Sequence, residues 1–194
     1  LCHRHKIALC LHRIESASPS ERSLLLKRAA GQLPDAPPHS EDMPKWLAAM
    51  TWKDEGAIDA ACAALGIDVT AYLRDRRPYL TWAQAREMNA RGFTIGSHTL
   101  SHPELWLCDK ERFEREILAS CVEVCNQIST NQAPFAFPFH SARFPRESLA
   151  SIRARAPKVG LFFDSFGCPR DEKWVVQRES YDRPREGAAS SISF

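Results

Sequence analysis

The stretch Gly92-Phe93-Thr94-Ile95-Gly96-Ser97-His98-Thr99-Leu100-Ser101-His102-Pro103 organises the rest of the 194-residue sequence. Phe93 to Ile95 reads as a buried strand that runs into Gly96 and Ser97 and then presents two imidazoles four residues apart. A helical turn after Gly96 would set His98 and His102 on one face, where both could reach one cation through their ring nitrogens. On the N-terminal side, Thr81 is placed as the N-cap of a helix ending near Ala90, with Gln84 completing a capping box. On the C-terminal side, Asp109 to Asn126 reads as a long helix with Phe113, Ile117, Leu118, Cys121, Val124 and Ile128 on one stripe. Helix, turn, strand and helix in succession are the unit of an alternating α/β fold.

Further along, Pro134-Phe135-Ala136-Phe137-Pro138-Phe139 is a short apolar run bounded by prolines. It reads as a buried strand with Pro138 at its end, because a proline inside would remove a ladder hydrogen bond. Arg146 to Ala156 is predicted helical, Val159 to Phe163 is predicted to be a strand, and Val175-Val176 a last short one. From Tyr181 onward the composition predicts a disordered tail over 181–194.

The first eighty residues read as almost wholly helical and carry no recognisable chemistry. Cys2 to Ile14 has Ile7, Ala8, Leu11 and Ile14 at helical spacing, with His3, Arg4, His5, Lys6, His12 and Arg13 predicted as a solvated basic face. Ser18-Pro19-Ser20-Glu21 combines an N-cap serine with proline at the first helical position and predicts a helix from 19 to 31, closed by Gly31. The prolines of Leu33 to Asp42 mark a loop. Pro44 to Met50, Asp54 to Leu65 (ended by Gly66) and Asp68 to Arg74 are predicted as three more helices.

Composition narrows the partners. Lysine and arginine number 26 against 24 acids, a net charge of +2 that gives no reason to expect nucleic acid or an acidic membrane. No apolar run approaches the ~20 residues that cross a bilayer, so no transmembrane segment is expected. The seven cysteines, Cys2, Cys10, Cys62, Cys108, Cys121, Cys125 and Cys168, show no CxxC pair and no framework spacing. They read as mostly buried, reduced thiols, which slightly favours a reducing, cytoplasmic setting unless a targeting signal precedes residue 1. Cys121 and Cys125, at i,i+4, read as buried helix-face cysteines.

The order of these pieces, with Gly-Ser-His-Thr-x-x-His-Pro after a strand and Phe-Ala-Phe-Pro-Phe after the next helix, resembles the polysaccharide deacetylases, the carbohydrate esterases sharing the NodB-type domain. The likeness covers about residues 78–180, leaving 1–77 as a helical lead-in or insertion. The resemblance implies an α/β fold, a distorted (β/α) barrel of which this chain would hold an incomplete part. It implies that His98 and His102 bind a divalent metal, zinc being expected, which would polarise an acetamide carbonyl and hold the attacking water. The implied substrate is an N-acetylated oligo- or polysaccharide, with Pro138 and Phe139 lining the sugar pocket or, equally, serving as core residues. His140 offers a proton donor at a position where the family has none.

The sequence also departs from the family pattern. The family's opening Thr-Phe-Asp-Asp-Gly type motif supplies a further metal ligand and the catalytic base, yet no Asp-Asp pair occurs anywhere in the sequence. Either that motif precedes Leu1, making the chain an incomplete piece that is inactive alone, or catalysis has been abandoned. Ala136 stands where the family often has an arginine, and no late histidine occurs in Val175 to Asp182, where Arg178 is expected to contact a carboxylate or backbone. Three readings follow: a metal-dependent hydrolase of N-acetyl groups, a carbohydrate-binding pseudoenzyme, and a structural helical protein whose histidines are satisfied core residues, which the motif over 92–103 disfavours.

Overall fold

The computed structural model describes residues 1–165 and 171–178. The described chain divides into two compact units. The first comprises Leu1–Ala85 with Ser101–Leu107, and the second comprises Arg86–Leu100 with the chain from Cys108 onward. The predicted tail at 181–194 and Cys168 lie outside the described residues.

The first unit is helical: α1 (His3–Glu15), α2 (Pro19–Gln32), α3 (Met43–Ala49), α4 (Glu55–Ala64), α5 (Val69–Arg76) and the start of α6 (Trp82–Ala90). Local chemistry sets its boundaries. The Ser18 side chain accepts from the Glu21 N–H at 3.4 Å with Pro19 in the first turn, and α2 runs one residue past Gly31. Asp68 caps α5 through the Ala71 N–H at 2.8 Å. Thr81 and Gln84 form the predicted capping box, with Gln84 N donating to Thr81 Oγ1 at 3.2 Å and Thr81 N to Gln84 Oε1 at 2.8 Å. At the end of α4, Gly66 takes a φ of 73° and Ile67 N returns to the Cys62 carbonyl at 2.8 Å, the 6→1 bond of a Schellman cap. Ile7, Ile14, Met43, Leu47, Ile58 and Leu65 lie in the core these helices share.

The solvated basic face expected on α1 is only partly there. His5 and His12 are exposed, but His3 and Lys6 are buried. His3 Nε2 meets Glu104 Oε1 at 3.1 Å, and Lys6 Nζ meets Asp59 at 2.6 Å and Glu55 at 3.3 Å. Buried ionisable groups stay only where partners replace water, and these partners are about 50 or more residues away in the chain, which is why periodicity in α1 does not reveal them. Burial pulls the Lys6 ammonium down, but its bonds to Asp59 and Glu55 outweigh that and hold it above the usual lysine range.

The second unit is an α/β layer. A three-stranded parallel sheet has β1 (Ala133–Ala136), β2 (Val159–Asp164) and β3 (Val175–Gln177) side by side in sequence order. Phe135 pairs with Phe162 and Phe162 with Val175, so the three share one face. Helix α7 (Lys110–Ile128) leads into β1, and α8 (Arg146–Arg155) is the crossover that the parallel neighbours β1 and β2 require. On the covered face Phe135, Phe137 and Phe162 are fully buried, with ring centroids 5.2–5.9 Å apart. The stripe of α7 buries Phe113, Ile117, Cys121, Val124 and Ile128, while Leu118 is half-buried. Burial pushes the Cys121 thiol up to about 11, and the free thiols at Cys121 and Cys125 fit the reading of packed helix-face cysteines.

The strand expected at Phe93 to Ile95 does not form. Gly92 takes a φ of 93°, and Phe93 N donates to the Met88 carbonyl at 3.1 Å, closing α6 with a Schellman cap. The Phe93 N–H that a strand would use is thereby spent on the helix end, and its ring is 59% exposed rather than buried. Pairing begins only at Ser97, whose N–H donates to the Pro134 carbonyl at 2.7 Å and whose carbonyl accepts from Ala136 N at 2.9 Å. This is an isolated parallel bridge to Phe135.

Candidate functional site

The backbone after Ser97 decides where the two motif histidines go. Thr99 and His102 both have left-handed φ, 68° and 57°, so the expected helical turn is absent. A β-branched residue at positive φ carries a cost of roughly 1–3 kcal/mol, met only where surroundings enforce it. The enforcing contacts lie on either side. Within the second unit, Leu100 N donates to the buried Glu116 carboxylate on α7 at 2.8 Å. Within the first unit, Glu104, buried at 3% exposure, accepts from His3, from Arg4 Nε at 3.3 Å and from the Trp52 N–H at 3.3 Å. His98 therefore belongs to the second unit and His102 to the Ser101–Leu107 segment of the first.

Gly96 makes the start of this path possible. A Cβ there would stand 3.0 Å from the Pro134 carbonyl oxygen and 3.2 Å from Pro134 Cγ, where ladder bonding brings the two backbones together. Gly96→Ala is expected to push the Ser97 segment off β1 and to cost about 1–3 kcal/mol, as overpacking against backbone does. Urea unfolding of the variant checks it, and an unchanged midpoint would refute the close approach.

His98 is oriented by the main chain. Its Nδ1 lies 2.8 Å from the Ala136 carbonyl oxygen; a carbonyl can only accept, so Nδ1 carries the proton and the Nε2 lone pair faces away. This is how imidazole ligands are commonly fixed in tautomer and direction. Loss of water around the ring and the nearby Arg178 charge push its pKa below the usual imidazole range, against the opposing pull of the Ala136 bond.

The carboxyl ends of the three strands bring further groups to the same side. Arg178 N donates to the Asp164 carbonyl at 2.6 Å and its Nη2 to the Phe137 carbonyl at 2.9 Å, the backbone contact expected for it. Pro138, Phe139 and His140 are half-buried in the loop leaving β1. The Phe139 carbonyl accepts from Ser165 Oγ at 2.6 Å, and His140 Nδ1 accepts from Ala142 N at 3.4 Å. A groove of about 690 Å³ lies between α7 and α8, but Pro138, Phe139 and His140 are not among its lining residues.

Beneath this loop is a buried polar cluster that the sequence reading missed. Asp164, fully buried at the end of β2, accepts from Ser141 N at 2.9 Å, from Ser165 N at 2.8 Å and from the Ser141 hydroxyl. Arg146 stands 3.5 Å from Asp164 and forms a fork onto Asp171 at 2.8 and 2.6 Å. The Asp171 hydrogen bond holds the Arg146 guanidinium above its usual range, more than burial lowers it. Burial pushes the Asp171 carboxyl up, but Arg146, the Glu172 N–H and Gln177 together hold it below the usual range. The signal available in sequence was an acid closing an apolar strand, Leu161-Phe162-Phe163-Asp164, since a charge at the end of a buried run needs a partner.

Ligands of parallel α/β sheets bind outside the carboxyl ends of the strands, and His98, Phe139, His140 and Arg178 stand at those ends. The cation implied by the resemblance fits only in part. His98 has the tautomer of a ligand, but among the described residues no three His, Cys, Asp or Glu side chains form a group that could hold a metal ion. A catalytic zinc takes three protein ligands, so the described residues do not complete such a site.

A small parallel sheet flanked by helices places this unit in the α/β class. The family follows from comparison: the polysaccharide deacetylase model matches residues 43–155, more than half of the sequence, and the chain belongs to that family. The match begins at Met43, within the helical first unit. A chitooligosaccharide deacetylase of Rhizobium leguminosarum bv. trifolii is 28% identical over 102 residues, 51% of this chain and 40% of the relative. The alignment thus spans less than half of that relative's length. No solved structure matches the chain. No single helix among the described residues is long and apolar enough to cross a membrane.

Proposed function

We propose that the chain contributes to a hydrolase that removes N-acetyl groups from an N-acetylated oligo- or polysaccharide by breaking a carbon–nitrogen bond outside a peptide. The family match and the similarity to a chitooligosaccharide deacetylase support the substrate class. The single observation that carries the site is the His98 Nδ1 to Ala136 carbonyl bond of 2.8 Å, which presents Nε2 as a donor at the strand ends. His98 and His102 are the proposed ligands of a divalent cation, zinc by the imidazole chemistry; the pairing of the two rests on their four-residue spacing and on the family match. When bound, such a cation supplies Lewis acidity toward an acetamide oxygen.

The chain's own groups have narrower roles. Pro138 and Phe139 offer apolar surface suited to the flat face of a pyranose ring. His140 is the proposed proton donor, a role its doubly protonated imidazolium would fill toward a leaving amine. The parallel sheet in sequence order, with the Ser97 bridge and α7 ahead of β1 and α8 between β1 and β2, supports a distorted (β/α) barrel. Residues 1–77 are proposed as the helical lead-in and 78–180 as the deacetylase-like part.

Calorimetric titration with Zn2+ tests the site. His98→Ala is expected to weaken binding tenfold or more, about 1.4 kcal/mol, and equal affinity in the variant would remove His98 from the ligand set. The sequence holds no Asp-Asp pair, so the same preparation should release no acetate from N-acetylglucosamine oligomers. Oligomer binding that neither needs Zn2+ nor changes in His98→Ala would favour the carbohydrate-binding pseudoenzyme.

A further inference from the structure

We propose that Cys10 on α1 and Cys62 on α4 are a redox pair that closes into a disulfide joining the two helices, with a low-molecular-weight disulfide such as oxidised glutathione as the oxidant. The two sulfurs lie 3.5 Å apart although 52 residues separate them in the chain. Both residues are buried, at 0% and 2% exposure, within the same helical unit. A disulfide requires a sulfur separation of about 2 Å with the two Cα atoms close, and two helices already in side-chain contact need only a small approach to meet it.

The surroundings hold the two helices in register. One turn before Cys10, Lys6 reaches Asp59 at 2.6 Å and Glu55 at 3.3 Å, so α1 and α4 advance together from the ion pairs to the thiols. Cys62 Sγ also lies 4.0 Å from the Lys6 carbonyl. The Cys121–Cys125 pair, closer in sequence, is not comparable. Its sulfurs turn toward different carbonyls, Ala133 and Lys158, each at 3.8 Å.

The mutual hydrogen bond is the largest influence on both thiols: it pulls Cys62 down against its burial and the Asp59 charge, with Lys6 helping, and with burial it pushes Cys10 up. Either thiol can open the exchange once it is exposed and loses its proton, as in the route through Cys62. Its sulfur attacks one sulfur of oxidised glutathione, forming a mixed disulfide and releasing a first glutathione thiolate. Cys10 then loses its proton and attacks Cys62 Sγ, forming the intramolecular bond and releasing the second. Two protein thiols give up two electrons and two protons, and one glutathione disulfide becomes two glutathione thiols. Exchange proceeds by a local opening in which α1 lifts from α4 and exposes the sulfurs.

The test equilibrates the full chain in glutathione buffers of graded oxidation, starting both from reduced protein and from protein refolded under oxidising conditions. Free thiols are then alkylated and the peptides mapped by mass. A linked peptide containing Cys10 and Cys62 is expected from both directions, with a rise in Tm of roughly 5–10 °C for the bridged chain. Cys62→Ala should show neither. Cys10 and Cys62 remaining alkylated at every ratio, or an equal Tm rise in Cys62→Ala, would overturn the proposal; the wild-type map decides the matter even if the variant does not fold.

Discussion

Asp164→Ala is expected to destabilise the second unit by about 3–5 kcal/mol, the range for removing one member of a buried ionic and hydrogen-bonded cluster. The loss comes from what Asp164 leaves behind. Ser141 N, the Ser141 hydroxyl and Ser165 N all donate to its carboxylate, and Ser141 is as fully buried as Asp164 itself. A buried donor left without an acceptor costs roughly 1–3 kcal/mol. Arg146 is not orphaned, because its fork onto Asp171 persists, and this keeps the cost from rising further. Asp164→Asn should be milder in size but still destabilising, since its amide nitrogen would face a donor. Urea unfolding followed by far-ultraviolet circular dichroism measures both. A loss below 1 kcal/mol in Asp164→Ala would show that water takes the carboxylate's place and that the cluster does not hold the loop from Phe137 to Phe144.

Phe162→Ala should cost a similar amount, about 3–5 kcal/mol, for a different reason. Phe162 is fully buried at the centre of β2, with Phe135, Phe137 and Trp174 ring centroids at 5.9, 5.6 and 5.8 Å. Truncation removes the transfer energy of the ring and leaves a cavity that the flanking strands, pinned by ladder hydrogen bonds, cannot close. Its sequence neighbour provides the control. Leu161 points to the other face of the same strand and is 41% exposed, so Leu161→Ala should cost less than ~1 kcal/mol. Equal losses at the two positions would contradict the alternation of faces in β2.

What could be read along the chain was the chemistry that acts between near neighbours. Ser18 with Pro19, Thr81 with Gln84, and Gly66 after Leu65 mark helix ends because caps and left-handed turns involve residues a few positions apart. The stripe of α7 and the Pro138 boundary of β1 were legible for the same reason. Phe93 to Ile95 was misread because the same residues carry two local signals, an apolar β-prone run and a helix-closing glycine. The cap took the Phe93 N–H before a strand could use it. The basic face of α1 was misread because His3 and Lys6 look solvated until Glu104, Glu55 and Asp59 arrive from distant segments.

The sequence by itself determined the family, most of the helices and the three strands of the sheet, and the HxxxH spacing of His98 and His102, since motif spacing and periodicity are properties of the chain alone. Tertiary structure alone decided that His98 carries its proton on Nδ1, that Asp164, Ser141 and Arg146 form one cluster, and that Cys10 lies 3.5 Å from Cys62. Each of these depends on groups whose separation in the sequence says nothing of their separation in space. Desolvation and partner geometry, which set their chemistry, exist only once the chain has packed.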